Sequence, residues 1–405
     1  MIFSDCIEKI STVGKKIKQV EYLITGLLPV IDQGREFIGG YTNDANVRIV
    51  VDSPVIVFGD HTRIIKFVNF DFAPGADGIK VFKPLPFYDA KYFAYILQAI
   101  KLPDKGYSRH YQYLEKSEIP ICPFSEQKRI VAKIESLFSR LDSAKDSLER
   151  VQQEIKRYRQ SVLKSAFEGK LTEDWRKHKN KISEFQKVEF NVILEEVNKD
   201  DPVKKQEREF RYIDIAAIDN ISHSLVGHKS FKGKDAPSRA RQIVKKGDIL
   251  FSTVRTYLKN IAFFNLDGSN WLASTGFTVL RLKDNCEPRF YYYYVLTDDF
   301  IKPLNSIQRG TSYPAVRDAD VKSRRVPFVP RDEQIEIVQG IESRFDRVKV
   351  LEDTVEQGLE KIERLKQSIL KKAFEGKLVE SNPAGEPVEV LLERIKKEKA
   401  GFSKK

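Results

Sequence analysis

The chain has 405 residues, with 70 Lys and Arg against 58 Asp and Glu for a formal net charge of +12, a length that calls for two or three folded units. At 41% hydrophobic residues, with 26 Phe and 16 Tyr, it carries enough apolar surface for real cores, and wholesale disorder is excluded. The positive balance favours a polyanionic partner, nucleic acid before membrane.

The opening stretch Met1–Gly14 carries Asp5 and Glu8 and lacks the apolar run of a signal peptide. No segment approaches the roughly 20 apolar residues of a membrane helix, so a cytoplasmic protein without a membrane partner is expected. Cys6, Cys122 and Cys286 are far apart and form no CxxC pair. They read as reduced core residues, not zinc ligands or disulfides. Residues 1–122 read as a first globular block. Strand-like runs fall at Arg48–Val51, Val55–Asp60 and Ile64–Val68, a helix at Ala90–Ile100, and a polar turn at Lys105–Tyr111.

A long helix follows over 123–171, and it is copied. The segment Glu126–Leu171 recurs at Glu333–Leu378 with a constant offset of 207, no gap, and 23 of 46 positions identical. Prolines 123 and 330 precede the two copies, Ser125 or Asp332 can supply a capping oxygen, and Gly169 and Gly376 stand where a C′ glycine ends a helix. Apolar residues step by three and four. They run Ile130, Ile134, Leu137, Leu141 to Val162 in the first copy and Ile337, Ile341, Phe345, Val348 to Ile369 in the second. That is a coiled-coil seam. A lone helix of about 64 Å with one apolar stripe would be poorly soluble, so the copies are expected to pack on each other, antiparallel.

Residues 172–329 read as a charged linker with a helix at Val188–Val197, then a second block. Strands are expected at Gly247–Ser252, Ile261–Phe264 and Phe277–Leu280, a helix at Arg289–Leu296, and a polar turn at Gln308–Pro314. The second long helix fills 330–378, and 379–405 is a basic tail with a short helix. The expected fold class is α+β: two globular α/β domains joined by two long antiparallel coiled-coil helices, related by a pseudo-twofold axis.

Catalytic signatures are missing from the sequence: there is no GxxxxGK[ST], HExxH or GxSxG. The five histidines show no metal-ligand spacing, so neither a metal nor a catalytic residue is assigned. Side chains suited to DNA cluster in the polar turns. Block one offers His61, Thr62, Arg63, Lys66, Tyr107, Ser108 and Arg109. Block two offers Thr253, Arg255, Tyr257, Lys259, Arg309, Ser312, Tyr313 and Arg317. An enzyme with an unrecognised site, and a coiled-coil scaffold that reads no DNA, are the competing readings.

Two variable blocks separated by two copied helices resemble the specificity subunit of a type I restriction-modification system. The resemblance rests on the proline-rich approaches Ile119–Pro123 and Val326–Pro330, each leading to Glu-Gln, and on the helix endings Gln160–Leu171 and Gln367–Leu378. Weaker likenesses are Phe58-Gly59-Asp60, Gly247–Ser252 and Ser274–Phe277. The short start before block one departs from the family. The resemblance implies two target-recognition domains, each reading half of a bipartite double-stranded DNA target. It also implies two methyltransferase subunits on the coils, restriction subunits joining through that complex, and no catalysis by the chain itself. S-adenosylmethionine, ATP and Mg are then cofactors of the partners. Identity concentrates at the coil ends, which points to Gln127, Arg140, Gln160, Phe167, Gln334, Arg347, Gln367 and Phe374 as methyltransferase contacts.

Overall fold

The computed structural model describes residues 1–75, 78–103, 105–106, 108–179, 185–380 and 386–402. They fall into two compact units, one of Met1–Glu149 with Glu356–Lys405, the other of Arg150–Val355. The boundary cuts both long helices, Phe124–Phe167 and Arg331–Phe374, each of 44 residues.

The first unit is built on an antiparallel sheet in the order Ile7–Ile10, Ile79–Pro84, Val55–Gly59, Ile65–Val68. The strand Val55–Gly59 is buried at every position, as its unbroken apolar run requires. A smaller sheet joins Gly40–Thr42, Leu28–Ile31 and Ala73–Pro74. Helix Ala90–Ala99 covers the main sheet and is capped by Asp89, whose carboxylate accepts from the Lys91 and Tyr92 N–H at 3.0 Å each. Phe3, Phe82 and Phe93 lie in one core with Ile130 and Ile134 of the first long helix and Leu370 and Ala373 of the second. Within this unit the helices run antiparallel: Asp142 pairs with Lys366 at 2.6 Å, and Leu148 lies against Gly358.

The second unit carries a four-stranded sheet in the order Lys229–Lys232, Glu209–Ile213, Trp271–Ser274, Ala240–Ile243. Its middle pair is parallel. A three-stranded sheet orders Ile261–Phe263, Ile249–Ser252, Phe277–Leu280. Helices Pro288–Val295 and Asp298–Asn305 pack beside it, in one core with Val162 and Leu163 of the first long helix and Ile337 and Ile341 of the second. Here too the helices are antiparallel: Arg159 forms a two-bond pair with Glu352 at 2.9 and 3.0 Å, and Leu171 lies by Gly340.

Several expectations are corrected. Arg48–Val51 is not a strand; Ile49 makes an isolated bridge to Phe72. The expected helix Val188–Val197 shrinks to Phe190–Ile193, because Gln186–Glu189 before it pairs with Arg325–Phe328. This stretch is no free linker, since Phe190, Ile193 and Leu194 enter the core of the second unit. Both long helices begin directly after proline, so Ser125 and Asp332 lie inside the first turn rather than capping it. The glycine stops hold, with φ of 77° at Gly169 and 71° at Gly376. The tail helix is Val388–Phe402, longer than expected, and buries Leu391 and Ile395.

Candidate nucleic-acid interface

The two blocks share a backbone frame that their sequences conceal. In block one, Asp60 follows strand Val55–Gly59, donates its N–H to Gly78 O at 2.6 Å and accepts from the His110 N–H at 2.9 Å. In block two, Thr253 follows strand Ile249–Ser252, donates to Gly276 O at 3.0 Å and accepts from the Val316 N–H at 3.0 Å. The same frame therefore holds the hairpin loop after the strand against the polar turn before the coil. In each block that hairpin loop carries an arginine in the left-handed region, Arg63 at φ 61° and Arg255 at φ 49°. Such a conformation costs a non-glycine residue about 1 kcal/mol or more and collects at functional sites.

In block two the arginine meets the turn directly. The Arg255 guanidinium donates to Ser312 O at 2.9 Å and lies 4.6 Å from the centre of the Tyr313 ring. Tyr313 is 71% exposed. Arg309 is exposed and pairs with Asp320 at 2.7 Å, which together with the Arg317 N–H holds that carboxyl below its ordinary range. Arg317, Ser312 and Tyr257 are open to solvent. Planar guanidinium groups, an aromatic face and a hydroxyl on one rim form a surface that can stack on or bond to base edges and phosphates.

Other candidates are already engaged within the chain. Lys259 is held by Leu296 O and Asp298, both at 3.0 Å, and Thr253 is buried with its hydroxyl donating to Gly276 O. Both build the frame. Lys66 is buried, donates to Glu36 O at 2.6 Å and pairs with Asp32 at 3.4 Å. Burial lowers its pKa, and it cannot reach a groove from there. The Thr62 hydroxyl donates to Gln33 O at 2.8 Å, and the His61 N–H donates to the Gln33 side chain at 3.3 Å. Arg109 is exposed, Ser108 half-buried, and Tyr107 lies outside the described residues.

The copied coil positions divide the same way. Gln127 and Gln334 are fully buried. Gln127 accepts from the Asp89 N–H at 2.7 Å and donates to Phe87 O and Cys122 O, each at 2.9 Å. Gln334 accepts from the Glu287 N–H at 2.7 Å and donates to Val329 O at 2.7 Å. Phe374 packs edge-on against Tyr92, as Phe167 does against Phe290. These four fasten each block to its coil: the two glutamines are buried away from any partner, whereas Phe167 and Phe374 are only half-buried. Lys91 to Glu135 and Arg289 to Glu342 repeat the fastening outside. Arg140, Gln160, Arg347 and Gln367 are exposed. Near them the seam is incompletely covered, with Tyr158 47%, Leu351 52% and Leu365 40% exposed. Among the described residues, no group of three or more His, Cys, Asp or Glu is placed to hold a metal ion, and no helix is long and apolar enough to cross a membrane.

Residues 182–361 match the family model described as the type I restriction modification DNA specificity domain. The chain is 28% identical over 334 residues to the Escherichia coli EcoDI specificity subunit, covering 74% of this chain and 74% of that one. It is 30% identical over 297 residues to the EcoKI specificity subunit of E. coli strain K12, covering 70% of this chain and 64% of that one. Among solved structures, the HsdS subunit from Thermoanaerobacter tengcongensis is 36% identical over 45% of this chain and 47% of that one, with a TM-score of 0.41. The copied coil fastened to each block by the same glutamine agrees with the sequence match, which takes in the second block and the start of its coil: over most of its length the chain is similar to type I restriction-modification specificity subunits.

Proposed function

We propose that this chain reads a bipartite double-stranded DNA target, with residues 1–122 and 172–329 each recognising one half. The coil segments 123–171 and 330–378 carry two methyltransferase subunits, and restriction subunits join through that complex in the cytoplasm. The observation that carries the reading is the shared frame, which presents a left-handed arginine beside a polar turn in both blocks. Matched fastenings at an offset of 207 support a pseudo-twofold relation between the two readers. Arg140 with Gln160, and their copies Arg347 with Gln367, remain candidates for methyltransferase contact. They are exposed, identical in the two copies, and close in sequence to uncovered apolar side chains. Packing alone preserves apolar character; two like partners on two copied surfaces would preserve such polar residues as well.

On this reading the chain positions DNA and holds no reacting group. S-adenosylmethionine belongs to the methyltransferase, and ATP with Mg to the restriction subunits. Replacing residues 1–115 with the corresponding block of a relative should change one half of the methylated site and leave the other. Mapping methylated positions in DNA from cells carrying the chain and its methyltransferase reads the outcome. Concerted change of both halves would defeat the two-reader arrangement.

A further inference from the structure

Beside the polar turn of block one lies a cleft of about 610 Å³, lined by Lys9, Ser11, Thr12, Lys16, Lys80 and Tyr111 among others. Lys9 on strand Ile7–Ile10 stands opposite Phe82, so Lys80, two residues before Phe82 on the neighbouring strand, is its diagonal neighbour on the same sheet face. Both ammonium groups sit over one ring, 5.5 and 5.4 Å from the centre of Tyr111. An aromatic face attracts each cation, but two cations at one ring repel each other. Among the described residues, Lys9 is paired with Glu115, at 2.7 Å. Lys80 and Lys16 are exposed at the same cleft, and the loop between Ser11 and Lys16 turns through Gly14 at φ 75° with open space around it. Ammonium groups and hydroxyls converging on an open cleft are the chemistry that holds phosphodiesters.

The cleft is joined to the reading frame. Tyr111 follows Arg109 and His110, and its N–H donates to the buried Asp60 carboxylate at 2.8 Å. Block two differs at the matching place. By the Gly78 to Gly276 correspondence, Lys80 falls on Thr278, whose hydroxyl donates to Asp318 at 2.7 Å. A lysine in one block thus corresponds to a hydroxyl already bonded to a carboxylate in the other.

We propose that the Lys9–Lys16–Lys80 cleft is a DNA-backbone site of block one, binding phosphodiesters next to the half-site without regard to sequence. It rests on the DNA-reading function above and adds to it an asymmetry: block one grips the backbone where block two does not. Each phosphate neutralised contributes about 0.9 to the slope of log affinity against log salt.

The test uses the full chain with its methyltransferase subunits, measuring affinity between about 50 and 200 mM salt for the cognate duplex and for one with both half-sites scrambled. The doubly substituted Lys16→Gln, Lys80→Gln protein should weaken binding to both duplexes by the same factor. Its salt slope should fall by about 1 to 2, and the preference for cognate DNA should be unchanged. Lys80→Arg together with wild-type Lys16 should keep the wild-type slope. An unchanged slope in the double variant, with wild type still preferring cognate DNA, overturns the cleft and leaves the reading function standing. Loss confined to the cognate duplex would make these lysines base contacts and also overturn it. Displacement of DNA by inorganic phosphate beyond that by chloride at equal ionic strength would show a small-anion site instead. No preference for cognate DNA in wild type would defeat both proposals.

Discussion

A buried amide that loses its partners costs more than the bonds it made, because the groups left behind remain out of water. Gln127 and Gln334 are in that position: each bridges the cap of a block helix to the backbone just before its coil. Gln127→Ala should destabilise the first unit and Gln334→Ala the second, by about 1–3 kcal/mol each, measured by denaturant unfolding. Unchanged stability with loss of methyltransferase would restore them as partner contacts. His223 offers a test by pH. Its Nδ1 lies 3.1 Å from Lys259 O, its carbonyl accepts from the Tyr292 hydroxyl at 2.9 Å, and burial lowers its pKa from the ordinary 6.5. Below about 6.5 the unfolded chain takes up a proton that the folded one resists. The contribution is therefore full above that value and is lost as pH falls toward the folded pKa. Asparagine tolerates the φ of 53°, so His223→Asn should flatten the dependence of stability on pH over that range; equal slopes in both proteins would exclude His223 as the source. At this scale composition showed where polar side chains gather but not which were already engaged. Lys66 looks like a phosphate ligand until Asp32, 34 residues away, is found beside it.

The copied helices were legible because identity and heptad spacing need no tertiary knowledge, and the glycine stops followed from one backbone requirement. Much of the two sheets was not legible. Ile7–Ile10, Gly40–Thr42 and Lys229–Lys232 are short, and their pairing lies in the backbone, so the side chains carry little alternation. Gln186–Glu189 looked like charged linker because an edge strand can pair through its amides while its side chains face water. For the helices themselves, length is the testable property. Inserting seven residues after Glu149 and seven after Val355 preserves the heptad phase and adds about 10.5 Å. At about 3.4 Å per base pair, the preferred spacer between half-sites should grow by about two to four base pairs. Binding should weaken as well, since the groove turns by nearly a third of its roughly 10.5 base-pair repeat while the coil barely does. Selection from duplexes with randomised spacers measures both. An unchanged spacer would mean that the helices do not set the separation.

The second unit is one continuous stretch, Arg150–Val355, whereas the first is assembled from both ends of the chain. Leu370 and Ala373 share a core with Phe3 and Phe93, so the opening block lacks part of its packing until the second long helix is complete. At about 5–20 residues per second on the ribosome, residues 356–405 take about 3–10 s after the second unit has been made. The part synthesised first is therefore the part completed last. Nascent chains probed with protease should show Arg150–Val355 protected while Met1–Glu149 is still cleaved; the reverse order would mean that the opening block folds without its closing helix. A frameshift between codons 356 and 374 should then damage the unit that was made first, leaving the later-made Arg150–Val355 folded and the earlier one incomplete.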